Sequence, residues 1–571
     1  MYTADIKKIE RHFVPKDFVV TDWQSIEPFF QNLNDRNIDT KEALEQWLKD
    51  MSELEAVVSE DACWRQIKMT CDTENKQLED AFNFFCLEIQ PKIQPYTDLL
   101  NKKLVNSSLI NELDKEKYFT YLRSMRKSIE LFRQENISLQ AELSVLQQHY
   151  GMITGKMTVT VNGKEYTLQQ AGKFLQSHDR DLREDVYRKI NERRLQDKET
   201  LNNLYNQLIE KRHQLAINAG FENYRDYRFK ELGRFDYTKE DCFQFHEAVK
   251  QYALPLVNII YQKKKEKLSL DNLRPWDVEA EPEGTQALHP FETGSELINK
   301  SIECFTKLRP FFGDCLKKMN EIKHFDLESR KGKAPGGYNC PLAESGAPFI
   351  FMNASGQMHD LTTMVHEGGH AVHSFLSHPL ELTGFKEYPM EIAEVASMAM
   401  ELFSMDYWND FFTSNEELKR AKEQQLERVI TIFPWIAIID KFQHWVYENP
   451  KHTAEERTAA WMSITDEFKD SIIDYSGLDE YRRNGWQRQL HLFEVPFYYI
   501  EYGIAQLGAI GMWKQYKENK EQALDNYCNA LSLGGTKTLP ELYNTAGLKF
   551  DFSPATIKTL MDFVKNEMDK I

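Results

Sequence analysis

Apolar residues recur every three to four positions along most of this chain. Leu44, Trp47, Leu48, Met51 and Leu54 form one stripe, and Leu109, Leu113, Tyr118 and Leu122 form another. That spacing collects them on one face of a helix turning every 3.6 residues, so both stripes read as core. The first of these helices is expected to start at Asp39 or Thr40, either of which can cap it, with Glu42 and Glu45 suited to its first turn. Charged helices with apolar stripes are expected through 60–148. The pattern then changes period. Met157-Thr-Val-Thr-Val-Asn-Gly-Lys-Glu-Tyr-Thr-Leu168 alternates around Asn162-Gly163 and predicts a β-hairpin near 157–168. Helices resume by about Leu168, run through the charged 178–215 and continue over 200–270 with breaks around Gly220 and Gly233, and the Pro- and acid-rich 268–291 reads as loop. Between Lys331 and Asn353, glycine, proline and short apolar runs take over. Pro348–Asn353 reads there as a strand, after the glycine-rich Pro335-Gly-Gly-Tyr-Asn339. Helices return over 390–447, 454–475 and from about Pro496 to Tyr516. The fold class is mainly α, with one hairpin and one short sheet. With no flexible linker visible, it divides into an N-terminal helical lobe carrying the hairpin, 1–195, and a larger part, 196–571.

Composition adds little to this picture. The 571 residues are 41% hydrophobic and 28% charged, ordinary for a globular chain with a large core. A net charge of −18 argues against nucleic acid or anionic membrane as a partner, and no protein partner is implied. Eight cysteines are scattered without metal-ribbon spacing or disulfide-scaffold density, so they read as reduced, mostly buried thiols. The N-terminus is charged from Asp5 and lacks an apolar leader, and no run reaches 18 apolar residues. A cytoplasmic location is expected.

Chemistry concentrates in Asp360–Leu376, which contains His366-Glu-Gly-Gly-His370 inside a helical pattern. Residues four apart share a helix face, so His366 and His370 can place two imidazole nitrogens on one ion. Glu367 follows the first ligand directly, which aims its carboxylate beside the metal, where a general base for an attacking water must sit. Gly368 and Gly369 weaken a helix interior by about 1 kcal/mol each, which implies a close approach to the backbone there. Asp360 reads as a cap of this helix. His373 would close the site to water if it were a fourth ligand, and His359 and His378 read as flanking residues.

Such five-residue matches occur by chance in long chains, so a zinc site requires a third ligand. A second helical run, Glu391 to Phe403, follows a loop containing Pro379, Gly384 and Pro389, and can bring a glutamate back to the metal. Glu394 is the preferred ligand, with Glu391 and Glu401 as competitors. Glu391 reads as a solvated carboxylate near a helix start. Glu401 shares nearly the same face as Glu394 and can orient a ligand histidine by hydrogen bond.

His366-Glu-Gly-Gly-His370 with Glu394-Val-Ala-Ser resembles the thimet oligopeptidase and oligoendopeptidase F family of zinc metallopeptidases. His491-Leu-Phe-Glu-Val-Pro-Phe-Tyr-Tyr-Ile-Glu-Tyr502, Leu273-Arg-Pro-Trp-Asp277 and Gly336-Gly-Tyr338 extend the resemblance over roughly the C-terminal two thirds. The resemblance implies one zinc per chain on His366, His370 and Glu394, with Glu367 as base, and makes 196–571 a catalytic metallopeptidase domain. It also implies a closed multi-helical body whose deep central channel admits short unfolded peptides. His491, Tyr498 and Tyr502 are expected to stabilise the oxyanion, with Tyr502 favoured over Tyr498. Gly336, Gly337, Phe351, Asn353 and Tyr499 are expected along the substrate, the Pro348–Asn353 strand pairing with an extended peptide through its backbone. The expected activity is cleavage of internal bonds in oligopeptides. Two rivals are a zinc carboxypeptidase of the Taq type, which must bind a free C-terminus, and a helical peptide-binding protein without catalysis. The intact His366, Glu367, His370 and Glu394 argue against the latter.

Overall fold

A computed structural model describes residues 2–6, 8–330, 332–334 and 336–571. Of the glycine-rich stretch singled out above, Pro335 lies outside the described residues. Helices make up most of the chain, interrupted by two small sheets. β1 (Thr158–Val161) and β2 (Lys164–Thr167) form the expected hairpin, antiparallel around Asn162 and Gly163. Both turn residues have positive φ, 51° and 75°, the backbone a two-residue turn of this kind requires. The second sheet holds β3 (Phe325–Glu328), β4 (Tyr338–Cys340) and β5 (Phe349–Ala354) in the order β3-β5-β4. β5 runs parallel to β3 and antiparallel to β4.

Two compact units result, neither a single stretch of chain. The first comprises Met1–Ile137, His289–Ala421 and Ala505–Phe550, the second Ser138–Leu288, Lys422–Ile504 and Asp551–Ile571. Among the described residues, no helix is long and apolar enough to cross a membrane.

In the first unit, the helix Lys41–Cys71 starts where the capping residues place it. Thr40 accepts a hydrogen bond from the Ala43 amide at 3.2 Å, satisfying a donor that the first turn leaves unpaired. Its stripe of Leu44, Trp47, Leu48, Met51 and Leu54 is buried against Trp23, Phe30, Leu100, Tyr118 and Phe385. Ile67 and Trp64, further along, pack on Phe349 and Phe351 of β5, so one helix ties the core to the sheet. After β5 the chain turns at Gly356, whose φ is 90°, into the helix Met358–Ser377. Asp360 lies inside this helix as its third residue. Its carboxylate accepts from the Ser355 and Gln357 amides at 2.7 and 2.9 Å, closing the first turn from within.

The loop after this helix is held by Phe385, packed on Tyr118 and Tyr121. The chain then returns as the helix Met390–Ser404. The glycine pair explains how close the two helices come. A Cβ on Gly369 would lie 2.6 Å from the Ala396 carbonyl oxygen and 2.7 Å from the Ser397 Cα, and one on Gly368 would strike the Phe305 ring at 2.7 Å. Only glycine permits that approach.

In the second unit, Val159 and Val161 of the hairpin pack on Val186 and Ile190 of the helix Arg180–Gln196. The Leu273–Asp277 stretch is an anchor there. Asp277 is fully buried and pairs with Arg180 and Arg183, each at 2.8 Å, while accepting from the Arg274 amide. Burial of this carboxylate is outweighed by the two guanidinium groups, which hold it below its usual range.

Candidate active site

His366 and His370 project one turn apart from the helix Met358–Ser377, their ring centroids 4.9 Å apart. The return helix supplies Glu394. Its Oε2 lies 3.3 Å from His366 Nε2 and 3.7 Å from His370 Nε2. One donor atom from each of the three residues lies within 4.8 Å of the other two. Donors held about 2 Å from a tetrahedral ion stand about 3.3 Å apart, so the spacing and the chemistry of the set fit zinc.

Surrounding groups hold this set in place. Glu401, two turns beyond Glu394, brings Oε1 to 2.7 Å from His366 Nδ1. With Nδ1 facing Glu401, a metal that displaces the Nε2 proton would find the lone pair there while the Nδ1 proton stays with Glu401. Ser397 donates its hydroxyl to Glu394 Oε2 at 3.0 Å. Sequence reading passed over Ser397, although its position three residues after Glu394 on a helix is the signal that would have found it. The charges differ between the two imidazoles. Burial opposes protonation of His366, but Glu394 and Glu401 outweigh it and push that ring well above its usual value. Burial pulls His370 down to about 4.

Glu367 is 7% exposed, and its Oε2 is buried with no hydrogen-bond partner. Burial raises its carboxyl to about 7, against the opposing charge of His366 and with the support of Glu394 and Glu401. A buried acceptor without a donor costs about 1–3 kcal/mol unless a water or substrate supplies one. The Asn339 side-chain amide donates to the Glu367 carbonyl oxygen at 3.3 Å, so β4 lies directly on this helix.

Other residues fall elsewhere. His373 is buried and stacked on Tyr388, with centroids 3.7 Å apart, and burial holds it well below the usual range. The His378 ring sits against Gly346. Glu391, read as solvated, is 4% exposed, buried together with Ile392, Ala393 and Glu394 in the first turns of the return helix.

The strand expected to pair with substrate requires correction. β5 is the middle strand, with Phe351 opposite Tyr338 on one side and Asp326 on the other. Its backbone is paired with β4 over Phe349–Phe351 and with β3 at Ile350, Phe351 and Ala354, and the Phe351 side chain is fully buried against the Tyr338 ring. Asn353 spends its side-chain amide on the carbonyls of Ala334 and Gly336, at 2.8 and 2.9 Å. Gly336 has a φ of 98°, and a Cβ on Gly337 would lie 3.3 Å from the Phe351 carbonyl oxygen. The two glycines therefore shape the approach to β4, which stands at the edge of the sheet.

His491, Tyr498, Tyr499 and Tyr502 form a cluster within the second unit. The three tyrosine rings lie 6.1, 4.9 and 5.8 Å from the His491 ring, in that order. Gln489 bonds His491 Nδ1 at 2.7 Å and is itself held by Trp435.

Comparison with known proteins adds independent information. The model of the family described as "Peptidase family M3" matches residues 173–562, and that of "Peptidase M3 N-terminal domain" matches 13–132. An oligoendopeptidase F homolog of Borreliella burgdorferi is 24% identical over 557 residues, covering 93% of this chain and 90% of the relative. Oligopeptidase PepF of Bacillus subtilis is 22% identical over 417 residues, 72% of this chain and 60% of the relative. Two solved structures superpose over 97% of the chain. A putative oligoendopeptidase F does so with a TM-score of 0.92 over 98% of its own length, and PZ peptidase A with an inhibitor does so with 0.91 over 99%, each 26% identical.

Proposed function

For a chain that belongs to peptidase family M3, on its oligoendopeptidase F branch, and is therefore a metallopeptidase, we propose hydrolysis of internal bonds in short unfolded peptides, with zinc as the cofactor. The observation that carries this reading is the convergence of His366, His370 and Glu394 beside a buried Glu367 carboxylate oxygen that has no donor of its own.

His366, His370 and Glu394 would hold the ion. When bound, zinc supplies a Lewis acid that polarises the scissile carbonyl and brings the pKa of water from about 16 towards 7. Glu367 Oε2 accepts the proton of the attacking water and returns it to the leaving amine nitrogen. The Glu367 Oε2 atom, buried and without a donor of its own, is free to take that proton and to give it back. Glu401 keeps the His366 Nδ1 proton in place, and Ser397 steadies Glu394.

The developing oxyanion needs further donors, and we assign that role to Tyr502 first, then Tyr498 and His491, on their side-chain chemistry. The substrate backbone would lie along β4, the edge strand preceded by Gly336 and Gly337, rather than along β5.

The deciding experiment is digestion of a quenched fluorescent peptide of about eight residues, blocked at both ends, by wild type and Glu367→Gln with metal content determined on both. Internal cleavage by wild type, lost in the variant at unchanged metal content, is expected. Cleavage only of peptides with a free C-terminus would replace this reading with a carboxypeptidase.

A further inference from the structure

Four side chains that the reaction leaves unused meet in the interior of the second unit. Cys242 and His246 stand one turn apart on the helix Lys239–Ala248, and Asp440 and His444 one turn apart on the helix Asn415–Glu448. None is more than 2% exposed. Cys242, Asp440 and His444 each present a ligand atom within 4.8 Å of those of the other two. His246 Nε2 and His444 Nε2 lie 2.9 and 3.3 Å from the same carboxylate oxygen, Asp440 Oδ2. Tetrahedral zinc with bonds of about 2.0–2.3 Å separates its donors by about 3.3–3.8 Å. The His366–Glu394 and His370–Glu394 distances fall in that range, and so does His444–Asp440.

The polar groups in this cluster satisfy one another only in part. Beyond the contacts at Asp440 Oδ2, Asp440 Oδ1, His246 Nδ1 and His444 Nδ1 are buried without a hydrogen-bond partner. Native interiors rarely leave so many polar atoms unpaired in one place. Among the described residues, the ion pairs of Asp440 are with the two imidazoles, and no lysine or arginine meets its buried charge. Phe243, Phe497 and Phe229 lie against His444 at centroid distances of 4.8, 5.3 and 5.8 Å, so its ring is lined by apolar side chains.

We propose that Cys242, Asp440 and His444 form a second zinc site that clamps the helix Lys239–Ala248 to the helix Asn415–Glu448, with His246 holding the Asp440 carboxylate by hydrogen bond. One donor from the first helix and two at i, i+4 from the second, each no more than 2% exposed, place the ion where no peptide reaches it, so this site is structural and separate from peptide hydrolysis. The Cys242 thiol binds as thiolate and releases its proton to solvent. Thiolate and imidazole donors favour zinc over magnesium or calcium.

Metal counting and cobalt spectroscopy test this on the full chain. Purified from zinc-replete medium, wild type is expected to carry two zinc per chain, and His366→Ala/His370→Ala one. After exchange into cobalt, both should show thiolate-to-cobalt charge transfer in the near ultraviolet, because the set around Glu394 contains no sulfur. Cys242→Ser should lose that band and one metal equivalent while still cleaving peptide. A fully cobalt-loaded wild type without the band overturns the proposal, whether or not any variant folds, and so does a band that survives in Cys242→Ser. If instead the His366/His370 variant keeps every metal equivalent of wild type, the proposed catalytic site fails and this one stands.

Discussion

Glu401 Oε1 sits 2.7 Å from His366 Nδ1, so a residue 35 positions downstream sets which nitrogen of the first histidine faces Glu394. Glu401→Gln keeps the size of the side chain and removes its charge. Metal affinity is expected to fall about 10–100-fold, as for carboxylates behind other ligand histidines. Competition with a chelator of known affinity checks this. At saturating zinc, kcat should remain within a few-fold of wild type, whereas an unchanged affinity would remove Glu401 from the site.

Gly369→Ala drives a Cβ to within 2.7 Å of backbone on the return helix, which carries Glu394 and cannot yield as a side-chain tip would. A loss of about 1–3 kcal/mol is expected, together with weaker metal binding. Gly151→Ala is the control. Gly151 lies within the helix Asn136–Thr154, and its Cβ would meet nothing within 4 Å, so a gain of up to about 1 kcal/mol is expected. Urea melts of both variants give the two signs.

Burial raises the Glu367 carboxyl from 4.5 to about 7 in the folded chain. A raised carboxyl binds more protons folded than unfolded, so its contribution to stability is complete below about pH 4.5 and lost as pH rises through 7. In chelator-treated protein, wild type should therefore lose more stability than Glu367→Gln between pH 5 and pH 8. Parallel losses in denaturant melts at the two pH values would contradict the assignment.

Oxyanion donors act on kcat. Tyr502→Phe is expected to lower kcat by about 100–1,000-fold with little change in KM, and Tyr498→Phe by less. Tyr499→Phe should act on KM alone. Steady-state kinetics on one blocked peptide separates the three. A full-rate Tyr502→Phe would transfer the role to Tyr498 or His491.

Phe351→Pro separates the two strands as substrate edges. In a middle strand, proline removes a ladder hydrogen bond and its ring has no room, so the variant is expected to unfold rather than lose peptide affinity alone. A folded variant with a raised KM would return the substrate to β5.

Much of this protein is written locally. The apolar spacing of Leu44 to Leu54, the Thr40 cap and the Asn162-Gly163 turn each depend on a few neighbouring residues, and each yields an element at the expected place. His366 and His370 share a face because any helix puts them there, and the same geometry places Ser397 beside Glu394. The Cys242/His246 and Asp440/His444 spacings were equally readable. Nothing in either spacing marks it as half of a set, because the partner half lies about 200 residues away.

What tertiary structure decided was pairing across distance. Glu391, Glu394 and Glu401 lie on one short helix, and sequence alone leaves three carboxylates in competition. The rotation of that helix, imposed by the close contact at Gly369, turns Glu394 to Nε2 of both histidines and Glu401 to Nδ1 of His366. The strand order is the other case. Pro348–Asn353 reads in sequence as a strand able to pair with a peptide, and only the arrival of β3 and β4 on the two edges of β5 makes it the middle of a sheet. Period and capping chemistry are properties of adjacent residues and can be read along the chain. Which faces and edges meet depends on packing between segments far apart, where side-chain volume and backbone approach decide.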